Sequence, residues 1–248
     1  MLFAYQPLHT AEAGDLNDEI INQFRIIRDQ PERLMDRLRS FLPGKDEYYR
    51  IRAWDRTEGG IGERSPLDRA ARTIFLSISG YNGLYRVNAK GQNNVAYNHF
   101  RKWDPERLKE PIMRQSTWFS THDITLIADG YEHIVDDALQ VKKADPGRKV
   151  FLYFDPPYDS DNQQGVVKYT SRPFHRKEQE GLRQACDRLN DAGILFMLSN
   201  ANTGFIRDQY SAYHIVNLIA PRRIGNGTGG SAQAEEVVVC NYDPANAG

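Results

Sequence analysis

Residues 150–159, VFLYFDPPYD, decide how this chain folds. The first five are apolar, and the run ends abruptly at Asp155, which two prolines and Tyr158 follow. A short continuous apolar run that stops at a polar turn is typical of a buried parallel strand. Ligands of open α/β sheets bind just outside the carboxyl ends of such strands. We therefore expect a binding site at residues 155–158.

Strands and helices alternate from this point towards the C-terminus. The apolar strand at 150–154 leads to a helix pattern at about 177–192, and a second buried strand follows at 194–200. The segments 212–218 and 236–242 supply further strands. This alternation predicts an α/β fold, with a parallel-rich sheet that carries helices on both faces.

The N-terminal part of the chain is predicted to be mainly helical. Apolar residues recur at helical spacing in 17–29, 31–41 and 66–77, so each of these segments should form an amphipathic helix. Between them, residues 45–64 mix charges, aromatic residues and glycines. We interpret this segment as an exposed and mobile connection.

A β-hairpin is expected after the last of these helices. In residues 81–97, polar and apolar side chains alternate around Lys90 and Gly91, which suit a turn. The region 31–110 therefore has the pattern of a subdomain inserted into the α/β domain. We assign the rest of that domain to residues 1–30 and 111–248.

Composition narrows the classes of function. The 248 residues carry 32 basic and 33 acidic side chains, so any surface that binds nucleic acid must be a local patch. Cys186 and Cys240 lie in apolar patterns, which favours core residues over a disulfide, and no metal site is expected. Because no apolar run reaches about 18 residues and no basic-then-apolar leader begins the sequence, we expect a cytoplasmic protein without membrane spans.

The Asp-Pro-Pro-Tyr motif suits the methylation of an amine such as N6 of adenine. This amine is a poor nucleophile because its lone pair is delocalised into the ring. An enzyme can accept both amine hydrogens and so aim the lone pair at a methyl donor. The Asp155 carboxylate and the Pro156 carbonyl supply two acceptors, and Pro157 helps to lock the backbone. Tyr158 offers a face on which an extruded base can stack.

Several other segments of the sequence, together with this motif, resemble the conserved segments of one enzyme family. The segments YNGLYRVNAKGQNNV, KYTSRPF, LSNANTGFI, PRRI and EEVVVCNY stand in the right order around DPPYD. Together they resemble a Dam-type, or D12 class, N6-adenine DNA methyltransferase over nearly the whole chain. The resemblance implies a Rossmann-like S-adenosylmethionine-dependent methyltransferase sheet with an inserted helical and β-hairpin DNA-recognition subdomain. It implies an enzyme of the restriction-modification type that methylates N6 of a flipped adenine in double-stranded DNA.

The resemblance also implies which residues hold the methyl donor. S-adenosylmethionine would be the co-substrate, with no metal. Asp15, in GDLN, corresponds to the acid that bonds the donor's ribose hydroxyls, and Asp123 with Ile124, in THDI, corresponds to residues near its adenine ring. The catalytic residues implied are Asp155, Pro156, Pro157 and Tyr158, and Asp155 is also placed beside the donor.

DNA-binding roles follow from the resemblance at the hairpin and near the closing strands. Tyr81 and Leu84 match positions that wedge into or pack against the opened duplex. Positions that touch bases or phosphates are matched by Asn82, Arg86, Asn88 and Asn94, and phosphate contacts are expected from Arg222 and Arg223.

The sequence departs from the family pattern at two places. The family begins with a strand that ends in a Phe-x-Gly-x-Gly loop, whereas this sequence begins at MLFAYQP, which resembles the helix after that loop. We therefore expect the chain alone to bind the donor weakly or not at all. The alternatives are a start site placed too late, a fragment, and self-association or a partner chain that supplies the strand. The hairpin also departs from the family's usual Phe-Asn-Val-Pro, glycine and basic residue, since this sequence has Asn93, Ala96, Asn98 and His99 there. Recognition of GATC is therefore not implied.

Two other functions stay open at the level of the sequence. An enzyme with the same chemistry could methylate cytosine N4 or RNA, because the Asp-Pro-Pro-Tyr arrangement serves those amines equally well. A catalytically silent DNA-binding remnant of the family is the second alternative. The DNA-type hairpin argues against the first of these.

Overall fold

The computed structural model describes residues 10–160, 174–222 and 232–246. By packing, the described residues divide at Gly130 into an N-terminal unit and, from Tyr131 onward, a C-terminal unit. The boundaries of the predicted insertion, 31–110, do not coincide with this division and stay a prediction. No helix in the described ranges is long and apolar enough to cross a membrane.

A pair of parallel strands forms the sheet of the N-terminal unit. Strand β1, Thr10–Gly14, pairs with strand β2, Asp123–Ile127, in a register that sets Thr10 opposite Asp123 and Gly14 opposite Ile127. The carboxyl ends of both strands therefore meet at one edge of the sheet, directly before Asp15.

Helices make up most of the N-terminal unit. Ser65 accepts a hydrogen bond from the Asp68 amide and so begins one of them, with Pro66 at the first helical position. Asn17 caps another through the Glu19 amide. The helices are α1 Asp18–Asp29, α2 Pro31–Arg39, α3 Lys45–Arg52, α4 Pro66–Ser79 and α5 Glu106–Thr121, with short 3-10 turns at Ala53–Arg56 and Gly60–Glu63.

The prediction of an exposed, mobile connection at 45–64 is wrong. Helix α3 begins this segment, and the side chains of Tyr48, Ile51 and Trp54 are buried in the main core of the unit. These apolar residues recur every third position, which is helical spacing, and the surrounding charges hide that period.

The predicted β-hairpin after α4 is an irregular one. Isolated antiparallel bridges join Gly80 to Tyr97 and Val87 to Asn93. Gly91 has a φ of 74°, which lets the chain reverse at the expected place. The predicted turn at Lys90 and Gly91 is therefore confirmed.

The C-terminal unit is built on a mixed sheet with the strand order β3-β4-β6-β5. Only the β3–β4 pair is parallel among these described strands, because β6 runs antiparallel to both of its neighbours. Its elements are α6 Tyr131–Ala144, β3 Phe151–Phe154, α7 Arg176–Asp191, β4 Leu195–Ala201, α8 Gly204–Gln209, β5 His214–Arg222 and β6 Ala232–Cys240.

The expected single parallel-rich sheet is thus replaced by two sheets in the described residues. The order of the strands breaks between the β1–β2 pair and β3. Among the described strands β1 pairs only with β2, and the larger sheet is mixed because β6 runs antiparallel to both of its neighbours.

The core of the C-terminal unit explains where its site lies. Helix α7 buries Leu182 and Leu189 against the apolar side chains of β3 and β4, and Cys186 and Cys240 are buried and unpaired as expected. Phe154 is in register with Leu198, so the carboxyl ends of two parallel strands lie side by side. Asp155 therefore emerges beside Ser199, near the end of β4.

Candidate active site and DNA-binding surface

The structure places Asp155 at the carboxyl end of β3, as the sequence predicts. The residue is exposed to solvent, yet its pKa is raised above the usual 3.8. Partial burial of the carboxylate is the main cause, the negative charge of Glu236 adds to it, and a hydrogen bond with Tyr158 opposes it. Asp155 is thus an accessible acceptor whose proton affinity is increased.

Tyr158 is held beside this carboxylate as a neutral phenol. Partial burial, together with the negative charges of Asp155 and Glu236, raises the pKa of Tyr158 to about 12. A hydrogen bond with Ser199 orients the hydroxyl, and Ser199 Oγ also lies 2.8 Å from the Tyr153 hydroxyl. The Tyr158 side chain is therefore held between Asp155 and Ser199, at the carboxyl end of β3.

The carbonyl groups of the two prolines differ in whether they accept a hydrogen bond. The carbonyl of Pro157 accepts a hydrogen bond from Gln179 Nε2 at 2.8 Å. None of the described residues donates a hydrogen bond to the carbonyl of Pro156. The Pro156 carbonyl can therefore serve as the second acceptor that the chemistry needs.

Glu236 is a residue of this site that sequence reasoning missed. It lies on β6 opposite Ala201 of β4, and its charge acts on Asp155, Tyr153 and Tyr158. The signal in the sequence was an acidic pair, EE, at the start of the apolar run VVVC.

Asp15 directly follows β1, at the carboxyl edge of the N-terminal unit's sheet. Its Oδ1 accepts a hydrogen bond from the Asn17 amide at 2.7 Å. Burial raises the pKa of Asp15, and the bond from Asn17 partly opposes this shift. The position is the one that sugar hydroxyls meet in nucleotide-binding sheets.

Asp123 and Ile124 are not brought to the same edge as Asp15. Asp123 is the first residue of β2, opposite Thr10, and lies about 13 Å along the strand from its carboxyl end. Ile124 is only 6% exposed and packs in the core. Asp129, two residues after β2, lies at the edge of Asp15 instead. An acid just past an apolar strand, as at Asp155, was the signal that was overlooked.

The residues predicted to wedge into DNA stand at an exposed turn. Tyr81 and Leu84 are 41% and 37% exposed, although both are large apolar side chains. Asn82 between them adopts a φ of 53°, which tightens the turn. The geometry therefore suits the presentation of apolar groups to a partner.

The polar hairpin residues are largely engaged with one another. Arg86 Nε donates to Asn94 Oδ1 at 2.8 Å. Asn88 Oδ1 accepts from the backbone amides of Lys90 and Gln92, at 2.9 and 3.0 Å. Asn88 therefore shapes the turn, whereas Arg86 and Asn94 form an exposed polar pair.

The last two predicted phosphate contacts cannot be assessed in the same way. Arg222 is the final residue of β5, and its side chain lies outside the described part of the chain. Arg223 also lies outside the described residues. Their roles stay predictions.

Phe100 is a second feature that sequence reasoning missed. Its side chain is 97% exposed, and the exposed Arg101 and Lys102 follow it. The Phe100 amide is tied to Asn98 Oδ1 at 2.9 Å, so a fixed loop presents the ring. A Cβ placed on Gly83 would lie 3.9 Å from the Arg101 guanidinium, which puts this loop beside the turn at 81–84. An aromatic residue among basic ones, HFRK, was the available signal.

No group of three or more His, Cys, Asp or Glu residues that could hold a metal occurs within 10–160, 174–222 and 232–246.

Comparison with known proteins finds relatives that are named as type II methyltransferases or DNA adenine methylases. The type II methyltransferase M1.LlaDCHI of Lactococcus lactis subsp. cremoris is 32% identical over 236 residues, which cover 94% of this chain and 79% of that protein. The type II methyltransferase M.MjaIII of Methanocaldococcus jannaschii is 28% identical over 241 residues, or 92% and 79% of the two chains. The DNA adenine methylase of Escherichia coli K12 is 24% identical over 238 residues, or 93% and 78%.

A family model agrees with these relatives. The model of the D12 class N6 adenine-specific DNA methyltransferase matches residues 1–224, which include the strand β3 and the DPPY turn. The resemblance drawn from the motifs is confirmed. The chain belongs to the D12 class of N6 adenine-specific DNA methyltransferases.

Proposed function

We propose that this protein transfers a methyl group from S-adenosylmethionine to N6 of an adenine that is flipped out of duplex DNA. The observation that carries the proposal is the loop 155–158 at the carboxyl end of β3, in a chain of the D12 class. This loop combines an exposed carboxylate, a carbonyl available as an acceptor and an oriented aromatic ring.

The loop acts on the target amine by accepting hydrogen bonds from it. The Asp155 carboxylate accepts one from one N6–H and the Pro156 carbonyl accepts one from the other, which turns the nitrogen lone pair away from the ring. Tyr158 stacks on the extruded base and holds it in place. When bound, S-adenosylmethionine supplies an electrophilic methyl group. The methylated nitrogen is cationic and gives up a proton, which Asp155 can receive and pass to solvent.

The donor's adenosine is assigned to the edge of the N-terminal unit's sheet. The Asp15 carboxylate, at the end of β1, would accept hydrogen bonds from the ribose hydroxyls. For the adenine ring we favour the segment at Asp129 over Asp123 and Ile124, because Asp129 follows the carboxyl end of β2. Asp15 and Asp129 thus fit the donor, and no metal is needed for this role.

Duplex DNA is assigned to the hairpin side of the N-terminal unit. Tyr81, Leu84 and Phe100 offer apolar wedges that can offset the stacking lost when a base is flipped. The exposed side chains of Arg86 and Arg101 supply positive charge for phosphates or guanine. This is the local patch that a nearly neutral chain requires.

Product analysis separates this proposal from its rivals. The protein is incubated with labelled donor and unmethylated duplex DNA, single-stranded DNA or RNA, and the nucleosides are identified after digestion. We expect N6-methyladenine from the duplex. N4-methylcytosine or methylated RNA would favour the first alternative, and DNA binding without any methylated nucleoside would favour a silent remnant. Sedimentation of the protein alone tests self-association, one of the sources expected from the sequence for the missing strand.

A further inference from the structure

We infer that Gln179 and Asn200 are positioning residues for methyl transfer, because their buried amides fix the backbone on both sides of Tyr158. The inference deepens the proposed function, since it assigns a support to the same loop 155–158. Neither residue stood out in the sequence as part of a site. Both belong to the C-terminal unit, on α7 and β4.

Each amide holds one of the two peptide groups that flank Tyr158. Gln179 Nε2 donates to the carbonyl of Pro157 at 2.8 Å. The backbone amide of Asp159 donates to Asn200 Oδ1 at 2.9 Å. The peptide before Tyr158 and the peptide after it are therefore both fixed by side chains from behind the loop.

The two amides are also bonded to each other. Asn200 Nδ2 donates to Gln179 Oε1 at 3.1 Å. A continuous chain of hydrogen bonds thus runs from the Asp159 amide through both side chains to the Pro157 carbonyl. Since Gln179 is 2% exposed and Asn200 is 0% exposed, water cannot replace a lost member of this chain without rearrangement.

A second anchor supports the end of the same loop. The Asp159 carboxylate accepts a hydrogen bond from the Thr203 hydroxyl at 2.7 Å, and Thr203 also begins helix α8. The Arg176 guanidinium lies 3.5 Å from the other carboxylate oxygen. The residue that follows Tyr158 is therefore tied to the start of two helices.

These contacts define a positioning role and not a catalytic one. Gln179 and Asn200 are buried, and their amides bind backbone and each other, so they do not touch substrate. They act through the Pro156 carbonyl and the Tyr158 ring, which must meet the amine and the base. A displacement of about 1 Å at reacting groups can cost on the order of 100-fold in rate.

Asn241 provides a matched control in the same sheet. Its Oδ1 accepts from the Phe196 amide at 2.8 Å and its Nδ2 donates to the Ile194 carbonyl at 2.9 Å. Asn241 therefore bridges backbone groups much as Asn200 does, but at the start of β4, at the opposite end from the loop. The substitutions Asn200→Leu and Asn241→Leu remove the same chemical group, from β4 itself near the loop in one case and from a contact with the start of β4 in the other.

The experiment compares Gln179→Met, Asn200→Leu and Asn241→Leu with the wild type for kcat, KM for duplex DNA and Tm. We expect Gln179→Met and Asn200→Leu to lower kcat by about 10- to 100-fold, with KM changed by less than about 3-fold. Asn241→Leu removes two backbone contacts of a half-buried residue, so it should lower Tm, but it should keep kcat within about 3-fold of the wild type. Gln179→Met keeps the test decisive if Asn200→Leu does not fold.

Hydrogen exchange provides a readout that does not depend on turnover. Exchange of the loop amides around Asp159 should quicken by about 10-fold or more in Gln179→Met and stay unchanged in Asn241→Leu. A wild-type kcat and unchanged exchange in Gln179→Met would overturn the inference, and so would equal losses of kcat in all three variants. The absence of N6-methyladenine with the wild type would instead contradict the proposed function.

Discussion

Asp55 links the helical core of the N-terminal unit to the hairpin, and its removal should be costly. Its carboxylate accepts from the Arg72 guanidinium at 2.6 Å and from the Asn93 backbone amide at 2.7 Å. The side chains of Asp55 and Arg72 are each 8% exposed. Arg72 also donates to the carbonyls of Ile51 and Arg52, so the pair sits inside a network of buried hydrogen bonds.

The expected magnitude follows from the charge that is left behind. In Asp55→Leu, the buried Arg72 and the partly exposed Arg56 lose their counter-charge, and the Asn93 amide loses its acceptor. Breaking a buried pair in this way costs about 3–5 kcal/mol of unfolding free energy. For a unit of this size the loss corresponds to a fall in Tm on the order of 10 °C. The double variant Asp55→Leu/Arg72→Met should lose much less than the sum of the single variants.

Tryptophan fluorescence can follow this unit alone. The three tryptophans of the chain, Trp54, Trp103 and Trp118, all belong to the N-terminal unit. Urea and thermal unfolding of the four members of the cycle would be measured by their emission. As a control, Glu110→Ala removes an exposed partner of Arg114 and should change the free energy by less than about 1 kcal/mol.

Two results would refute the reasoning on Asp55. One is an Asp55→Leu variant whose unfolding free energy stays within about 1 kcal/mol of the wild type. The other is a loss of unfolding free energy in the double variant that equals the sum of the losses in the two single variants. Such additivity would mean that Asp55 and Arg72 do not stabilise each other.

Three further predictions concern the sites directly. The pKa of Asp155 is raised, and it is the ionised carboxylate that accepts the hydrogen bond from the amine. The methylation rate should therefore fall as the pH drops through the pKa of Asp155, which lies above the usual 3.8. A rate that stays constant down to pH about 4 would contradict this prediction. Asp15→Asn should lower the affinity for S-adenosylmethionine by about 10-fold in isothermal titration, whereas Asp123→Asn should leave this affinity unchanged. Equal losses of affinity in the two variants would mean that Asp123 contacts the donor as well. Phe100→Ala should weaken the binding of duplex DNA by about 10-fold without lowering Tm. Leu42→Ala, which truncates another exposed apolar side chain, should leave DNA binding unchanged. Equal affinities of the two variants for duplex DNA would show that Phe100 does not contact the DNA.

The sequence predicts the C-terminal unit well because its strands are long apolar runs with sharp polar ends. The predicted strand at 150–154 is observed as Phe151–Phe154, and that at 194–200 as Leu195–Ala201. The position of Asp155 follows directly from these ends. Such boundaries depend on local sequence alone.

Other features depend on pairing between distant segments and are not visible locally. The register of β1 with β2 decides that Asp123 lies at the far end of its strand from Asp15. Gln179 resembles any polar residue on an amphipathic helix until the packing of α7 shows that it is buried. The helix α3 was missed because charged residues interrupt its apolar period.

The central claim is that Asp155 accepts a hydrogen of the target amine at the carboxyl end of β3. Its most direct test is the single-turnover rate of N6-adenine methylation by Asp155→Asn and by the wild type, with base flipping followed by 2-aminopurine fluorescence. We predict a fall in rate of about 100-fold or more while DNA binding and base flipping persist. A methylation rate within about 3-fold of the wild type would contradict the account.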